Sequence, residues 1–145
     1  MEPNLNNIKG YLGNTLLKKS NQKIEWTPEL VAEYVKCSKD VVYFTETYMK
    51  IINVDEGLVP FKMYDYQKEM VKSFADNRNT IVTTARQAGK STTTCGFILW
   101  YIIFHPDKTV ALLANKGETA REILGRVQLA YEHLPRWLQQ GVKEW

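Results

Sequence analysis

The sequence has little cysteine and little histidine, with two residues of each. Neither Cys37 nor Cys95 lies in a Cys-x-x-Cys pair, and the two histidines do not complete the spacing of a metal site. We therefore expect both cysteines to be buried apolar residues in a reducing compartment. A structural metal centre and a disulfide framework are not predicted.

Long hydrophobic runs are also lacking. The longest, from Cys95 to Phe104, is too short to cross a bilayer, and the first residues are polar and rich in asparagine rather than signal-like. We expect a soluble, intracellular protein without a membrane partner. The 145 residues, 44% of them hydrophobic, suffice for one domain or part of one.

The charge is unevenly placed. The formal net charge is +3, and residues 1–24 account for it through four lysines against Glu2. The remainder is neutral overall, which excludes a global basic field that would attract nucleic acid. We interpret residues 1–26 as a polar, basic, solvated tail.

Helical and strand-like patterns alternate after this tail. Thr27-Pro28 is typical of a helix start, and apolar spacing continues to Ile52 as one long helix or as two with a break at 38–40. Further on, the pattern predicts these elements: a helix over 63–76, a strand over 80–84, a helix over 89–104, a continuous apolar strand over 109–114 and a helix over 118–134. This order predicts an α/β fold: a P-loop NTPase-type parallel sheet flanked by helices and incomplete, with an α-helical N-terminal region. The last residues, 141–145, could begin a third strand of that sheet.

The segment between the first predicted strand and its helix is the strongest functional signal. Gly89-Lys90-Ser91 in this position is typical of a phosphate-binding loop, whose N–H groups and helix dipole bind anions. We expect Lys90 to contact the β- and γ-phosphates and the Ser91 hydroxyl to bind Mg²⁺. The general pattern has glycine where this chain has Thr84, and a bare Gly-Lys-Ser also occurs in incidental surface turns.

A second motif, which is acidic, has two interpretations. Apolar residues ending in Asp55-Glu56 resemble the carboxylate pair of an ATPase, but Asn53 interrupts the run and Gly57 favours a turn. The pair also precedes the phosphate loop, whereas it follows the loop in most such ATPases. We therefore predict a turn between short strands over 51–54 and 58–61.

Several stretches together resemble the ATPase domain of the large terminase subunit of tailed bacteriophages, with the myovirus branch nearest. The resemblance is best from Phe61 to Trp145 and is carried by these segments: Asp65-Tyr66-Gln67, the loop 85–92 (ARQAGKST), 110–117 (VALLANKG), Leu134-Pro135 and 141–145 (GVKEW). The Arg-Gln-x-Gly-Lys-[Ser/Thr] core is fairly specific, and a missing first glycine is typical of that family.

The resemblance implies an ATP- and Mg²⁺-dependent motor that translocates double-stranded viral DNA into a procapsid. It implies that Tyr66 and Gln67 read adenine and that Arg86 acts on the phosphates, with Arg86 and Lys90 as catalytic residues. The implied nucleotide-binding residues are Tyr66, Gln67, Thr84, Ala85, Arg86, Gln87, Ala88, Gly89, Lys90, Ser91 and Thr92, and Ser91 is the implied metal ligand. The implied partners are the viral DNA, the portal protein, the small terminase subunit and further copies in a ring, in the host cytoplasm at the procapsid portal.

The resemblance also marks what these residues would lack. Residues 27–145 would be the N-terminal part of the ATPase domain, and the family's Asp-Glu pair (Walker B) and nuclease domain would lie beyond Trp145. The chain would then be part of a larger protein or a split or truncated copy. We expect it to bind ATP weakly and, by itself, to be inactive in hydrolysis. The alternatives are a helicase-type ATPase, or a non-catalytic assembly protein that binds a nucleotide or a partner.

Overall fold

The computed structural model describes residues 10–142 and shows a small α/β protein. Within that range there are five helices and one two-stranded antiparallel sheet. In chain order they are α1 (Pro28–Lys39), α2 (Val41–Tyr48), β1 (Lys50–Asn53), β2 (Gly57–Pro60), α3 (Asp65–Asp76), α4 (Lys90–Phe104) and α5 (Gly117–Glu132). None of the helices in this range is long and apolar enough to cross a membrane.

The first two helices follow from local capping chemistry. The Thr27 hydroxyl accepts a hydrogen bond from the Leu30 N–H, and Pro28 occupies the first helical turn, where no N–H is needed. Asp40 ends α1 in an extended conformation, and its carboxylate accepts from the Tyr43 N–H at 2.9 Å to start α2. The predicted start is confirmed, and of the two alternatives the structure shows two helices with a break at Asp40.

The acidic motif lies in a hairpin turn, as predicted. Lys50 pairs with Pro60 and Asn53 pairs with Gly57, so Asp55 and Glu56 lie in the exposed turn between β1 and β2. The Asn53 side chain accepts from the Asp55 N–H at 2.9 Å, and Gly57 has a φ of 74°. These local features close the turn.

Helix α4 is at the centre of the core. It packs against α2, α3 and α5, and its side chains Cys95, Leu99 and Ile103 are almost fully buried. The Trp100 indole N–H donates to the Cys37 carbonyl at 2.9 Å and connects α4 to α1. On the side of α4 away from these contacts, Ile102 is 36% exposed.

The two predicted parallel strands are the main difference from the sequence prediction. Neither 80–84 nor 109–114 belongs to a strand, and within residues 10–142 no backbone–backbone hydrogen bond joins them. Ile81 is 93% exposed and Leu113 is 89% exposed, whereas Val82 and Leu112 are partly buried, so the two segments are not covered on both faces within that range. Apolar pattern alone does not form a strand, because a strand needs ladder partners.

Part of the segment predicted as a solvated tail is packed against the C-terminal residues. Leu17 is 1% exposed, and the Lys18 N–H donates to the Gln139 side-chain oxygen at 2.8 Å. Val142 and Lys19 form an isolated parallel bridge, with the Val142 N–H donating to the Lys18 carbonyl at 3.0 Å. The solvated-tail interpretation is therefore wrong for this part of the segment, whereas residues 1–9 of the predicted tail lie outside the described range. Residues 143–145 of the predicted third strand also lie outside it.

Candidate nucleotide-binding site

The loop before α4 has an unusual backbone conformation. Gly89 is the N-cap of α4 with a φ of 72°, and Gln87 has a φ of 61°. Both φ values lie in the left-handed region. Glycine adopts this region freely, whereas at Gln87 the side chain makes it unfavourable. Left-handed residues within a turn orient successive N–H groups toward one concave side.

The N–H groups of this loop have no partners in the described chain. Within residues 10–142, none of the backbone N–H groups of 86–92 donates a hydrogen bond, and the first helical bond runs from the Thr93 N–H to the Gly89 carbonyl. The Gly89 cap has no side-chain hydrogen bond either. Apart from Ala88, whose N–H faces the Ala85 carbonyl across the turn at residues 86–87, these donors lie beside the positive end of a helix dipole and form an environment suited to an anion.

Lys90 is directed back into the loop from the first position of α4. Its ammonium donates to the Thr84 carbonyl at 3.1 Å and to the Ala85 carbonyl at 2.8 Å. Two of its three protons are therefore engaged, and the third is available to a ligand. The ammonium thus lies beside the free N–H groups, where a phosphate would be neutralised.

Helix α3 contacts the loop through the side chains of Tyr66 and Gln67. The Tyr66 hydroxyl donates to the Ala88 carbonyl at 2.8 Å, and the Gln67 amide nitrogen donates to the same carbonyl at 3.4 Å. The Gln67 side-chain oxygen accepts from the Tyr64 N–H at 2.9 Å, and Gln67 is only 3% exposed. The amide that the resemblance assigns to adenine is therefore engaged at both ends by the chain itself.

Gly89 fits closely against this support. A Cβ atom at Gly89 would lie 2.5 Å from the Gln67 amide nitrogen. Such a distance requires displacement, and the Gln67 amide is held by Tyr64 and Ala88. Glycine at this position is favoured by its φ, and a Cβ would in addition displace the end of the Gln67 side chain.

The remaining predicted site residues divide by exposure. Arg86, Gln87 and Ser91 are exposed, whereas Thr92 is partly buried. The Ser91 hydroxyl fits a role as one Mg²⁺ ligand, because magnesium at nucleotide sites takes most of its oxygens from phosphates and water. Residues 10–142 contain no cluster of three His, Cys, Asp or Glu side chains able to hold a metal alone.

Arg126 on α5 is a residue that sequence reasoning missed. Its guanidinium donates to the Thr92 hydroxyl at 3.3 Å and forms an ion pair with Glu122 at 2.7 Å. The only sequence signal is the i, i+4 spacing from Glu122, which predicts a helical ion pair and nothing more. Its position beside Thr92 arises because α5 packs against α4.

The cysteines fulfil the expectation of buried apolar residues. Both are fully buried and free. Burial, followed by the Glu33 carboxylate, raises the pKa of Cys37 to about 12, and burial raises the pKa of Cys95 to about 11. Neither thiol is a thiolate nucleophile at neutral pH.

No protein-family model matches the chain.

Proposed function

We propose that the chain binds ATP with Mg²⁺ through the loop over 84–92. The observation that carries this proposal is the run of free N–H groups over 86–92, with the Lys90 ammonium beside them. A polyphosphate matches this arrangement because it presents several anionic oxygens along a short chain. In this proposal the loop residues Thr84 to Thr92 surround the phosphates.

Charged side chains would complete the phosphate site. Lys90 would contact the β- and γ-phosphates, and the Ser91 hydroxyl would provide one oxygen ligand to Mg²⁺, which neutralises phosphate charge when bound. Arg86 is exposed next to the free N–H groups, and its planar fork suits phosphate oxygens within the chain or on a neighbouring subunit.

At the level of the whole protein, we propose a terminase-type DNA-packaging ATPase. This rests on the resemblance of the loop and its flanking segments, and with it come the viral DNA, portal, small-subunit and ring partners at the procapsid. The parallel P-loop sheet belongs to the same proposal. The segments over 80–84 and 109–114 support it, because they are rich in the β-branched and apolar residues that strands prefer.

Hydrolysis by this chain alone is not part of the proposal. Phosphoryl transfer requires a carboxylate to orient metal or water, and Asp55 and Glu56 are in an exposed hairpin turn. The same observation favours a second candidate, a non-catalytic protein that binds a nucleotide or a partner without turnover. A helicase-type ATPase shares the loop chemistry, and nothing in the described residues favours it.

The test compares two lysine substitutions that change charge equally. Lys90→Ala removes the ammonium at the loop, and Lys108→Ala removes one beyond the opposite end of α4, a helix of 15 residues and so about 22 Å long. We expect Lys90→Ala to weaken binding of Mg²⁺-ATP by roughly 10- to 100-fold, the value of a charge-assisted hydrogen bond. Lys108→Ala should bind like the unchanged chain in the same equilibrium titration. Equal ATP affinity in the unchanged chain and in Lys90→Ala would refute the phosphate-loop assignment.

A further inference from the structure

Two neighbouring clefts lie near the C-terminal end of α4. The first has a volume of about 380 Å³, and its walls include the rings of Trp26, Tyr34 and Trp137. The second has a volume of about 440 Å³ and is lined by the last residues of α4 and the turn that follows them. The two clefts share Tyr34 and Gln140, so together they form one groove, the aromatic groove, with a ridge between its halves. The length of α4, which has 15 residues and so spans about 22 Å, separates the second cleft from the phosphate loop.

We propose that the aromatic groove binds an extended, proline-rich segment of another protein, with acidic residues at the Trp26 end. The proposal is independent of nucleotide binding. Proline-rich segments adopt the polyproline II conformation and dock in grooves lined by aromatic side chains. The two halves of the groove would receive successive turns of the segment on either side of Tyr34. The five prolines of this chain are isolated from one another in the sequence, so none of its own 145 residues offers such a segment.

The ridge between the two clefts is held in place by packing, which is the first argument. The Tyr34 ring packs edge-on against Trp26 and against Phe104, with ring centroids 5.6 and 4.9 Å apart. The Gln140 side-chain amide donates to the Ile103 carbonyl at 3.1 Å. A preformed groove and a stiff proline-rich segment both lose little conformational entropy when they bind.

The hydrogen-bonding groups of the groove are the second argument. A run of prolines presents carbonyl acceptors and no N–H donors, so its site must supply donors. Within residues 10–142 the indole N–H groups of Trp26 and Trp137 have no acceptor, whereas that of Trp100 donates to the Cys37 carbonyl. Trp26 is 48% exposed, and no polar side-chain atom of the partly buried Trp137 is both buried and unpaired. Both indoles are therefore available to the carbonyls of a bound segment.

The charge at the Trp26 end is the third argument, and it favours an acidic segment. Lys18 lines the first cleft, and no carboxylate lines that cleft. Among the described residues the Lys18 ammonium forms no ion pair, and burial, followed by the Arg136 guanidinium, lowers the pKa of Lys18. At the other end of the groove Asp107 and Lys108 line the second cleft together, so the cation there has a counter-charge beside it. A carboxylate of the ligand is thus favoured at the Lys18 end.

The experiment titrates the whole chain with three fluorescently labelled synthetic decapeptides and follows their anisotropy. The first peptide has two glutamates followed by eight prolines. The second has lysines in place of the glutamates, and the third has glycine and serine in place of the prolines. We expect the acidic proline peptide to bind most tightly and the basic one to bind about tenfold more weakly. The glycine–serine peptide should not bind below about 1 mM.

Two substitutions of equally exposed side chains provide the matched control. Trp26 and Leu124 are both 48% exposed, and Leu124 lies on α5 outside the groove. We expect Trp26→Ala to weaken binding of the acidic proline peptide about tenfold and Leu124→Ala to leave it unchanged. Lys18→Glu should reverse the order of the two proline peptides. It also provides the test if Trp26→Ala does not fold, because Lys18 contacts Gln139 and Val142 through its backbone.

Several outcomes would overturn the proposal. They are the absence of binding by the acidic proline peptide at about 1 mM, equal binding of the glycine–serine peptide, and unchanged affinity in folded Trp26→Ala. Equal losses in Trp26→Ala and Leu124→Ala, or an unchanged order of the peptides in Lys18→Glu, would contradict it as well. Tighter binding of a single-stranded oligothymidine that Trp26→Ala abolishes would make the groove a nucleic-acid site instead. None of these results affects the phosphate-loop assignment, because Lys90 does not line the groove.

Discussion

Replacing Gly89 with alanine tests the contact between the phosphate loop and α3. The left-handed φ of 72° at this position costs an alanine roughly 1–2 kcal/mol. The new Cβ would also lie 2.5 Å from the Gln67 amide nitrogen. Because Gln67 is 3% exposed and bonded at both ends of its amide, we expect a further cost of roughly 1–3 kcal/mol, as for overpacking.

A double-mutant cycle separates these two costs. Gln67→Ala alone should lower the free energy of unfolding by roughly 1–3 kcal/mol, because it removes two hydrogen bonds, the one from the Tyr64 N–H and the one to the Ala88 carbonyl. In the double variant the alanine Cβ no longer meets an amide, so only the backbone cost of Gly89→Ala remains. The double variant should therefore be more stable than the sum of the single changes predicts, with a coupling in the range of about 0.5–3 kcal/mol.

Urea unfolding of the four proteins, followed by circular dichroism, gives the free energies. The same proteins should be titrated with ATP and GTP. If Gln67 positions the loop, Gln67→Ala will weaken the binding of ATP and of GTP to a similar extent. Additive free energies of unfolding would refute the contact, and loss of ATP binding with unchanged GTP binding would show that Gln67 reads the base instead.

The remaining predictions concern the core and its titration. Leu99→Ala should lower the free energy of unfolding by roughly 2–5 kcal/mol because the side chain is fully buried. Leu113→Ala should change the free energy of unfolding by no more than about 0.5 kcal/mol, because Leu113 is 89% exposed. Similar losses for Leu99→Ala and Leu113→Ala in urea unfolding would mean that 109–114 is packed. The pKa of Cys37, raised from 9.0 to about 12 in the folded state, makes stability fall as pH rises between these values, because the unfolded thiol ionises first while the folded thiol stays protonated. Cys37→Ala should therefore show a shallower loss of unfolding free energy from pH 9 to pH 12; an unchanged slope would contradict the raised pKa.

Local hydrogen bonds explain why several elements were predictable. Thr27 bonds to the N–H three residues on, Asp40 does the same for α2, and Asn53 closes the hairpin turn two residues on. Each of these contacts is between near neighbours in the sequence, so residue type and spacing are enough to predict it. The backbone of the loop before α4 belongs to this group, since Gly89 is both the N-cap and the left-handed residue that its position requires.

Elements that depend on distant partners were not predictable in the same way. The segments over 80–84 and 109–114 have the composition of strands, but composition does not supply the neighbouring strand that a ladder requires. The residues around Leu17 read as a polar tail because their partners, Gln139 and Val142, are more than a hundred positions away in the chain.

By itself, the sequence determined the ends of the helices, the hairpin turn and the left-handed turn before α4, because backbone conformation and capping act over a few residues. Only the tertiary structure decided what surrounds that loop. The packing of α3 and α5 against α4 brings Gln67 to Ala88 and Arg126 to Thr92, pairs that are 21 and 34 residues apart. Such contacts depend on how helices pack in three dimensions, and no local pattern in the sequence encodes them.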